Sequence, residues 1–153
     1  MHPLKIIYCC FGGAHSSPVA AAIHLGILPA DRLPTRQELL QLPLFDRNDQ
    51  QGTLHYMGKD ERGHEVYVLG RGRGGKIAET TLINGYNLAG GQADRELVIV
   101  DTLKCVNLIM RIGGYLSRRL RLVFLGRPLV LVGTQRAFRC LVAVVEAVVE
   151  RVD

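Results

Sequence analysis

The chain has 153 residues, 48% of them hydrophobic, and a formal net charge of +5. This length and composition predict one globular domain over residues 1–153 and exclude a disordered chain. The sequence has neither an apolar run of about 18 uncharged residues nor the ordered regions of a secretory signal, so we expect a cytoplasmic protein that does not engage a membrane.

The chain is predicted to begin with a strand and a helix. The short apolar run LKIIYC at residues 4–9 is typical of a buried parallel strand. The segment SPVAAAIHLG follows as a helix, with Ser17 as its N-cap, Pro18 at its first position and Gly26 beyond its end. A strand followed directly by a helix places the connecting loop at the carboxyl edge of a sheet.

A second helix and a hairpin are predicted next. Thr35 and Glu38 have capping-box spacing at the start of TRQELLQL, and the polar residues 46–52 interrupt the pattern after it. Residues 53–69 then alternate around a turn with Asp60 and Gly63, as the two strands of a β-hairpin do. We expect this hairpin to form an antiparallel edge or flap.

The second half of the chain predicts further alternation of helices and strands. Residues 71–91 form a basic glycine loop, a helix and a glycine-rich exit, and the apolar run at 96–101 is a buried strand. Residues 103–121 are predicted helical, RPLVLVG at 127–133 is predicted as a last strand, and Thr134 is predicted to cap a terminal helix. The whole indicates an α/β fold, with a three-layer, Rossmann-like or phosphatase-like, mostly parallel sheet and an antiparallel hairpin.

The loop after the first strand, with the sequence CCFGGAHSS at residues 9–17, is a candidate anion site. Gly12 and Gly13 allow backbone N–H groups to turn inward, and the following helix adds free N–H groups and the positive end of its dipole. Ser16 and Ser17 bring hydroxyl donors. Because the lysine of a P-loop is missing, a phosphate group is a better fit than a nucleoside triphosphate.

Two adjacent cysteines lie at the start of this loop. Cys10 stands where the loop and the helix dipole favour a thiolate, which makes it a candidate nucleophile for phosphoryl transfer. The alternative is that both cysteines are small buried hydrophobes, and this alternative is preferred for Cys9. The spacing of the four cysteines indicates neither a disulfide scaffold nor zinc, so reduced thiols are expected.

Other residues complete the candidate site, and no cofactor or metal is expected. His15 is a candidate that could contact a bound phosphate, partner the thiol or face solvent. Asp101 follows the strand at 96–101 and could act as a general acid or hold a loop by Asx hydrogen bonds. The candidate phosphate-binding residues are Gly12, Gly13, Ala14, His15, Ser16, Ser17, Arg71 and Arg73, the two arginines as a source of positive charge.

The basic residues cluster in two segments, 71–76 and 118–127. Such clusters favour anionic partners, here a phosphorylated small molecule or a phosphoprotein, or they are simply solvated surface. With few aromatic residues and no recognised module, nucleic-acid binding is not expected. The stretch GRGRGG at 70–75 also fits a dinucleotide fingerprint, but its arginines favour a basic turn.

The segment CFGGAHSSP followed by VAAAI resembles the signature loop of low-molecular-weight protein tyrosine phosphatases. In this resemblance Cys10 matches the nucleophile, Gly12 the loop glycine, and Ser17 and Pro18 the closing serine and proline. Ser16 stands at the arginine position, and the chain has no Asp-Pro pair for the general-acid loop. The resemblance implies a phosphate-binding loop, with phosphatase-like chemistry or with binding alone.

Two further resemblances are present. The strand, loop and helix are similar to those of the cysteine-phosphorylated IIB components of sugar phosphotransferase systems. The opening KIIYCCFGGAHSSPVAAAIHLG and the later GRPLVLVGTQ resemble a domain-of-unknown-function family from spore-forming Firmicutes. This last resemblance covers the whole length and implies a family but no activity.

Overall fold

The computed structural model describes residues 3–47 and 51–153, so part of the polar break predicted at 46–52 lies outside the described residues. Within them, four strands combine with six α-helices and two short helical turns. In chain order these are β1 (Lys5–Cys10), α1 (Ser16–His24), α2 (Arg36–Gln41), β2 (Leu54–Lys59), β3 (Glu65–Gly70), α3 (Gly75–Leu88), α4 (Ala93–Glu96), β4 (Leu97–Asp101), a 3₁₀ turn (Leu103–Cys105), α5 (Leu108–Gly114), a π turn (Tyr115–Arg119) and α6 (Val123–Val152).

The strands form one sheet in the order β2-β3-β1-β4. Strand β1 is central and runs parallel to β3 on one side and to β4 on the other, while β2 and β3 form the antiparallel hairpin. Cys10 lies opposite Gly70, and Cys9 lies opposite Asp101. The predictions of a mixed α/β fold, a mostly parallel sheet and an antiparallel edge hairpin are confirmed.

The two faces of β1 are buried differently, because successive side chains point to opposite sides of a sheet. Ile6 and Tyr8 lie in the main core, which also contains apolar residues of α1 and α6. Ile7 and Cys9 lie in a smaller cluster on the other face, against which Leu82 of α3 packs. Both cysteines are buried, with exposed fractions of 0% for Cys9 and 5% for Cys10.

Helix α6 replaces two predicted elements. The strand predicted over 127–133 is wrong, and Thr134 lies inside this 30-residue helix, fully buried, instead of capping its start. The physical reason is close packing against α5, because a Cβ on Gly113 would lie only 2.7 Å from the backbone nitrogen of Val130. The glycine in α5 therefore allows contact with the backbone of α6, and this packing outweighs the strand propensity of the apolar run.

Other boundaries differ less from the predictions. The helix predicted over 103–121 is divided into the 3₁₀ turn, α5 and the π turn, with the side chain of Asn107 accepting from the Met110 N–H to cap α5. Helix α1 starts at Ser16, two residues before the predicted first position Pro18. The prediction of Ser17 as N-cap is wrong, since the N-cap is His15 and no side chain caps the helix. The capping box of Thr35 and Glu38 is confirmed in both directions.

The prediction of four reduced thiols is wrong for two cysteines. Cys105 and Cys140 form a disulfide that joins the 3₁₀ turn after β4 to α6, while Cys9 and Cys10 are free. Sequence spacing could not show this pairing, since the two residues are 35 positions apart and meet only after α5 and α6 pack together.

Helix α6 is long and apolar enough, by length and composition alone, to cross a membrane. Its most apolar window is 56% buried within the structure, which is also what the core helix of a soluble protein shows. The length and composition of α6 are therefore only weak evidence that it spans a membrane.

Candidate functional site

The loop of residues 10–17, called the first loop below, turns sharply where β1 meets α1. Gly13 has a φ of +70°, a left-handed conformation that glycine adopts without strain. A Cβ on Gly70, at the end of β3, would lie 2.7 Å from the carbonyl carbon of Gly12. The loop backbone therefore rests directly on the end of the neighbouring strand, and glycine is needed on both sides of the contact.

The sulfur of Cys10 is held by two polar groups of the loop. The backbone N–H of Gly13 donates to Sγ at 3.0 Å, and the hydroxyl of Ser17 lies 2.9 Å from the same atom. Either the thiol or the hydroxyl can donate in the second contact, but a thiolate could only accept it. The geometry thus offers two donors to a negatively charged sulfur.

Several backbone N–H groups of the first loop are without an acceptor in the part of the chain that the structure describes. Among the described residues, no group accepts a hydrogen bond from the N–H of Gly12, Ala14, His15, Ser16 or Ser17. The last two belong to the first turn of α1, where free N–H groups and the helix dipole favour an anion. These five N–H groups, which follow Cys10 within the first loop, are called the cradle below.

The side chain of Ser16 is turned towards β4. Its hydroxyl lies 2.8 Å from Oγ1 of Thr102, and the Thr102 hydroxyl itself donates to the carbonyl of Cys9 at 2.9 Å. Since the single hydroxyl proton of Thr102 is used in that bond, Ser16 must be the donor to Thr102. The Ser16 hydroxyl is therefore engaged in holding the loop to β4, and only its N–H is free. Sequence reasoning missed Thr102.

His15 points to a buried carboxylate that sequence reasoning also missed. Its Nε2 lies 3.2 Å from Oδ1 of Asp46, and its ring packs edge-on against Phe45. The backbone N–H of Asp46 also donates to the carbonyl of Ala14 at 2.8 Å. Of the three roles considered for His15, the structure shows neither a bond to the thiol nor an open solvent position, since its side chain is 16% exposed.

Asp46 is a hub that joins the first loop to the helices. Its side chain is fully buried; Oδ1 accepts from the hydroxyl of Ser117 at 2.8 Å and Oδ2 from Nε of Arg127 at 2.9 Å. Burial acts to raise the pKa of Asp46, but hydrogen bonds from His15, Arg127 and Ser117 outweigh it and lower the pKa to about 2. The carboxylate is therefore ionised at neutral pH and fixes the middle of the first loop.

The π turn brings a second guanidinium to this hub. Nε of Arg118 lies 3.7 Å from Oδ1 of Asp46, and another nitrogen of Arg118 donates to the carbonyl of Arg47. Such turns insert an extra residue into a helix and often occur at functional sites. Two arginines share one carboxylate here, which leaves excess positive charge next to the His15 end of the loop.

The predicted arginines at 71 and 73 behave differently. Arg71 is nearly buried and pairs with both Glu79 and Asp101, the latter at 2.8 Å. Its guanidinium is thus neutralised on the Cys9 face of the sheet and does not stand free for a phosphate. Arg73 is exposed, and none of the described residues pairs with it.

The carboxylate of Asp101 is engaged on both oxygens. Oδ2 pairs with Arg71, and Oδ1 accepts from the backbone N–H of Leu103 at 2.8 Å, the Asx arrangement that the sequence allowed. Cys9 is fully buried, and burial raises the pKa of its thiol to about 12, as expected of a small core residue. Cys9 is therefore inert at neutral pH. Within the described residues, no group of three metal-ligating side chains occurs.

A family model described as protein of unknown function (DUF3189) matches residues 5–150. The chain belongs to this family. The match includes β1, the first loop and almost all of α6, so the elements that build the candidate site lie within the matched residues. No curated protein and no solved structure matches the chain.

Proposed function

We propose that the first loop binds a phosphate group or a phosphorylated ligand. One observation carries the proposal: five backbone N–H groups of the first loop have no acceptor among the described residues, and the cysteine sulfur of the same loop accepts from the Gly13 N–H. Convergent N–H groups at a helix N-terminus recognise tetrahedral anions. The resemblance of the loop to low-molecular-weight protein tyrosine phosphatases agrees with the proposal.

The proposed chemistry is cysteine-dependent phosphoryl transfer. The thiolate of Cys10 attacks the phosphorus of a phosphate monoester, an S–P bond forms and the P–O bond to the leaving group breaks. The leaving oxygen takes a proton from water, and a second water then cleaves the S–P bond to release inorganic phosphate and restore the thiol. Asp101 takes no part in this scheme, because its carboxylate pairs with Arg71 and accepts from the Leu103 N–H. The cradle N–H groups stabilise the equatorial oxygens in this scheme.

A second candidate function is a binding module without turnover. Two observations favour it: Ser16 occupies the place of the phosphatase arginine with its hydroxyl bonded to Thr102, and the Cys10 side chain is almost completely buried. Without a guanidinium inside the loop, the bidentate clamp on the transferring phosphoryl group is missing. A protein of this kind would sense a phosphorylated ligand without cleaving it.

Orthovanadate titration with intact-mass analysis tests binding and chemistry separately. The binding proposal expects saturable vanadate or phosphate binding that is weakened about tenfold or more by Ser17→Ala and retained by Cys9→Ala. The chemical proposal expects, in addition, hydrolysis of an aryl phosphate that is lost in Cys10→Ser. Binding without hydrolysis supports the module, and no binding by the folded wild-type protein refutes the cradle.

We also propose a layer arrangement for the fold and a cellular location. The sheet carries α1 and α6 on one face and Leu82 of α3 on the other, and we propose that this is a three-layer, phosphatase-like arrangement. We propose a cytoplasmic location as well. Disulfides are rare in that compartment. Cell fractionation combined with thiol labelling of Cys105 and Cys140 therefore tests the location and the bridge together.

A further inference from the structure

Strand β4 leaves one edge of the sheet open. The N–H of Thr102, just after β4, donates to the carbonyl of Cys9 in β1. Alternate residues of a strand direct their backbone groups to the same side, so those of Val98 and Val100 also face β1. The N–H and carbonyl groups of Leu97, Ile99 and Asp101 then point away from the sheet. Within the described part of the chain, β4 pairs with β1 alone.

The opposite edge of the sheet is protected, and β4 is not. Strand β2 has a bulge between Tyr56 and Gly58 and ends in Lys59, two features that block pairing with another chain. Strand β4 has neither feature. It presents four consecutive apolar residues, LVIV, none of which is fully buried. An open edge of this kind is a template for an additional strand.

The surface beside β4 is also incompletely covered. A cleft of about 430 Å³ lies between α3 and β4 and is lined in part by Ile83, Leu97 and Ile99. Helix α3 has no fully buried residue, although Leu82 contacts the sheet. The open backbone edge is therefore continuous with an apolar cleft that could receive side chains from a partner.

We propose that a second copy of this chain occupies this edge, with the two β4 strands antiparallel about a two-fold axis. The charges at the ends of the strand favour this occupant. Arg95, just before β4, is exposed, and Asp101, at its end, is 51% exposed. Antiparallel pairing brings each Arg95 close to the Asp101 of the other copy. Asp101 and Glu79 share Arg71, so these three groups keep a net negative charge that Arg95 of the other copy can meet.

The resulting dimer has one continuous eight-stranded sheet, since each copy contributes four strands. The pairing supplies acceptors and donors for the outward backbone groups of Ile99 and Asp101, and it brings the two clefts beside α3 next to each other. The first loops remain at the carboxyl ends of the β1 strands. The proposal therefore stands independently of whether these loops bind phosphate.

Sedimentation equilibrium over a wide range of protein concentration tests the proposal. We expect a reversible shift from the 16.9 kDa chain to twice that mass. Ile99→Lys is expected to weaken association by about tenfold or more, because a lysine on an edge strand opposes pairing. Tyr56→Lys, at the exposed edge of β2, is the matched control and should associate like the wild type.

Arg95→Glu provides a second variant at an exposed position outside the sheet, so it tests association even if Ile99→Lys fails to fold. It places two acidic residues together at each end of the paired strands and should also weaken association. A protein that stays monomeric at all concentrations refutes the proposal and leaves a foreign strand as the occupant. Equal association of the Ile99, Tyr56 and Arg95 variants refutes it as well.

Discussion

Replacing Asp46 with asparagine should destabilise the protein and loosen the first loop. The pKa of Asp46 is about 2, against an ordinary value of 3.8, and this difference corresponds to about 2 kcal/mol of stabilisation of the carboxylate form. Asparagine keeps the shape but loses the charge that faces Arg127, Arg118 and His15. We therefore expect Asp46→Asn to lower the free energy of unfolding by about 2 kcal/mol at pH 7.

The pH dependence of this difference has a defined sign. Because folding lowers the pKa of Asp46, its stabilisation is complete above about pH 4 and is lost as the pH falls towards 2. Urea unfolding followed by circular dichroism at several pH values measures it. The difference between wild type and Asp46→Asn should narrow below about pH 4, and Asp31→Asn, at an exposed position, should show almost none.

The same variant tests whether the hub positions the cradle. The side chain of Asp46 holds the ring of His15, so loss of its charge should also weaken vanadate binding in protein that is still folded. The bond from the Asp46 backbone N–H to the carbonyl of Ala14 remains in this variant. Equal stability of Asp46→Asn and wild type at pH 7, or a stability difference that does not change down to pH 3, would refute the reasoning about the ionised hub.

Three further outcomes are expected in unfolding experiments. Thr102→Val removes the acceptor for the hydroxyl at the start of α1 and should cost about 1 kcal/mol, measured by urea titration. Gly70→Ala puts a Cβ against the first loop and should destabilise the fold, whereas Gly85→Ala, with open space inside α3, should stabilise it by up to about 1 kcal/mol. Cys140→Ser opens a bridge spanning 35 residues. It should lower stability by about 4 kcal/mol in thermal scans, and a reductant should then affect the wild type alone.

The parts of the fold that local sequence determines could be predicted. The capping box at Thr35, the hairpin and the buried strand β1 each depend on residues a few positions apart. Residues 127–133 could not be assigned correctly, because an apolar run with β-branched residues fits a buried strand and a buried helix equally well. Contact between Gly113 and the backbone of α6 decides between them, and that contact is a property of the packed helices.

The candidate site divides in the same way. The glycines, serines and thiol of the first loop are consecutive in the chain, so their proximity follows from one strand and one helix. Asp46 is 31 positions from its partner His15 in the sequence, and Thr102 is 86 positions from its partner Ser16. Neither lies in a motif that would indicate such a contact. Arg71 was a reasonable cation candidate, but its two carboxylate partners became known only from the arrangement of α3 and β4.

The length of helix α6 separates its last residues from the first loop, which makes that end a suitable place for a label. With 30 residues it extends over about 45 Å. Arg127, near its start, contacts the hub beside the first loop, whereas Asp153, just after its end, pairs with Arg62 in the β2–β3 turn at the amino edge of the sheet. A fluorophore, tag or solid support attached beside Asp153 would thus lie far from the first loop and leave it unobstructed.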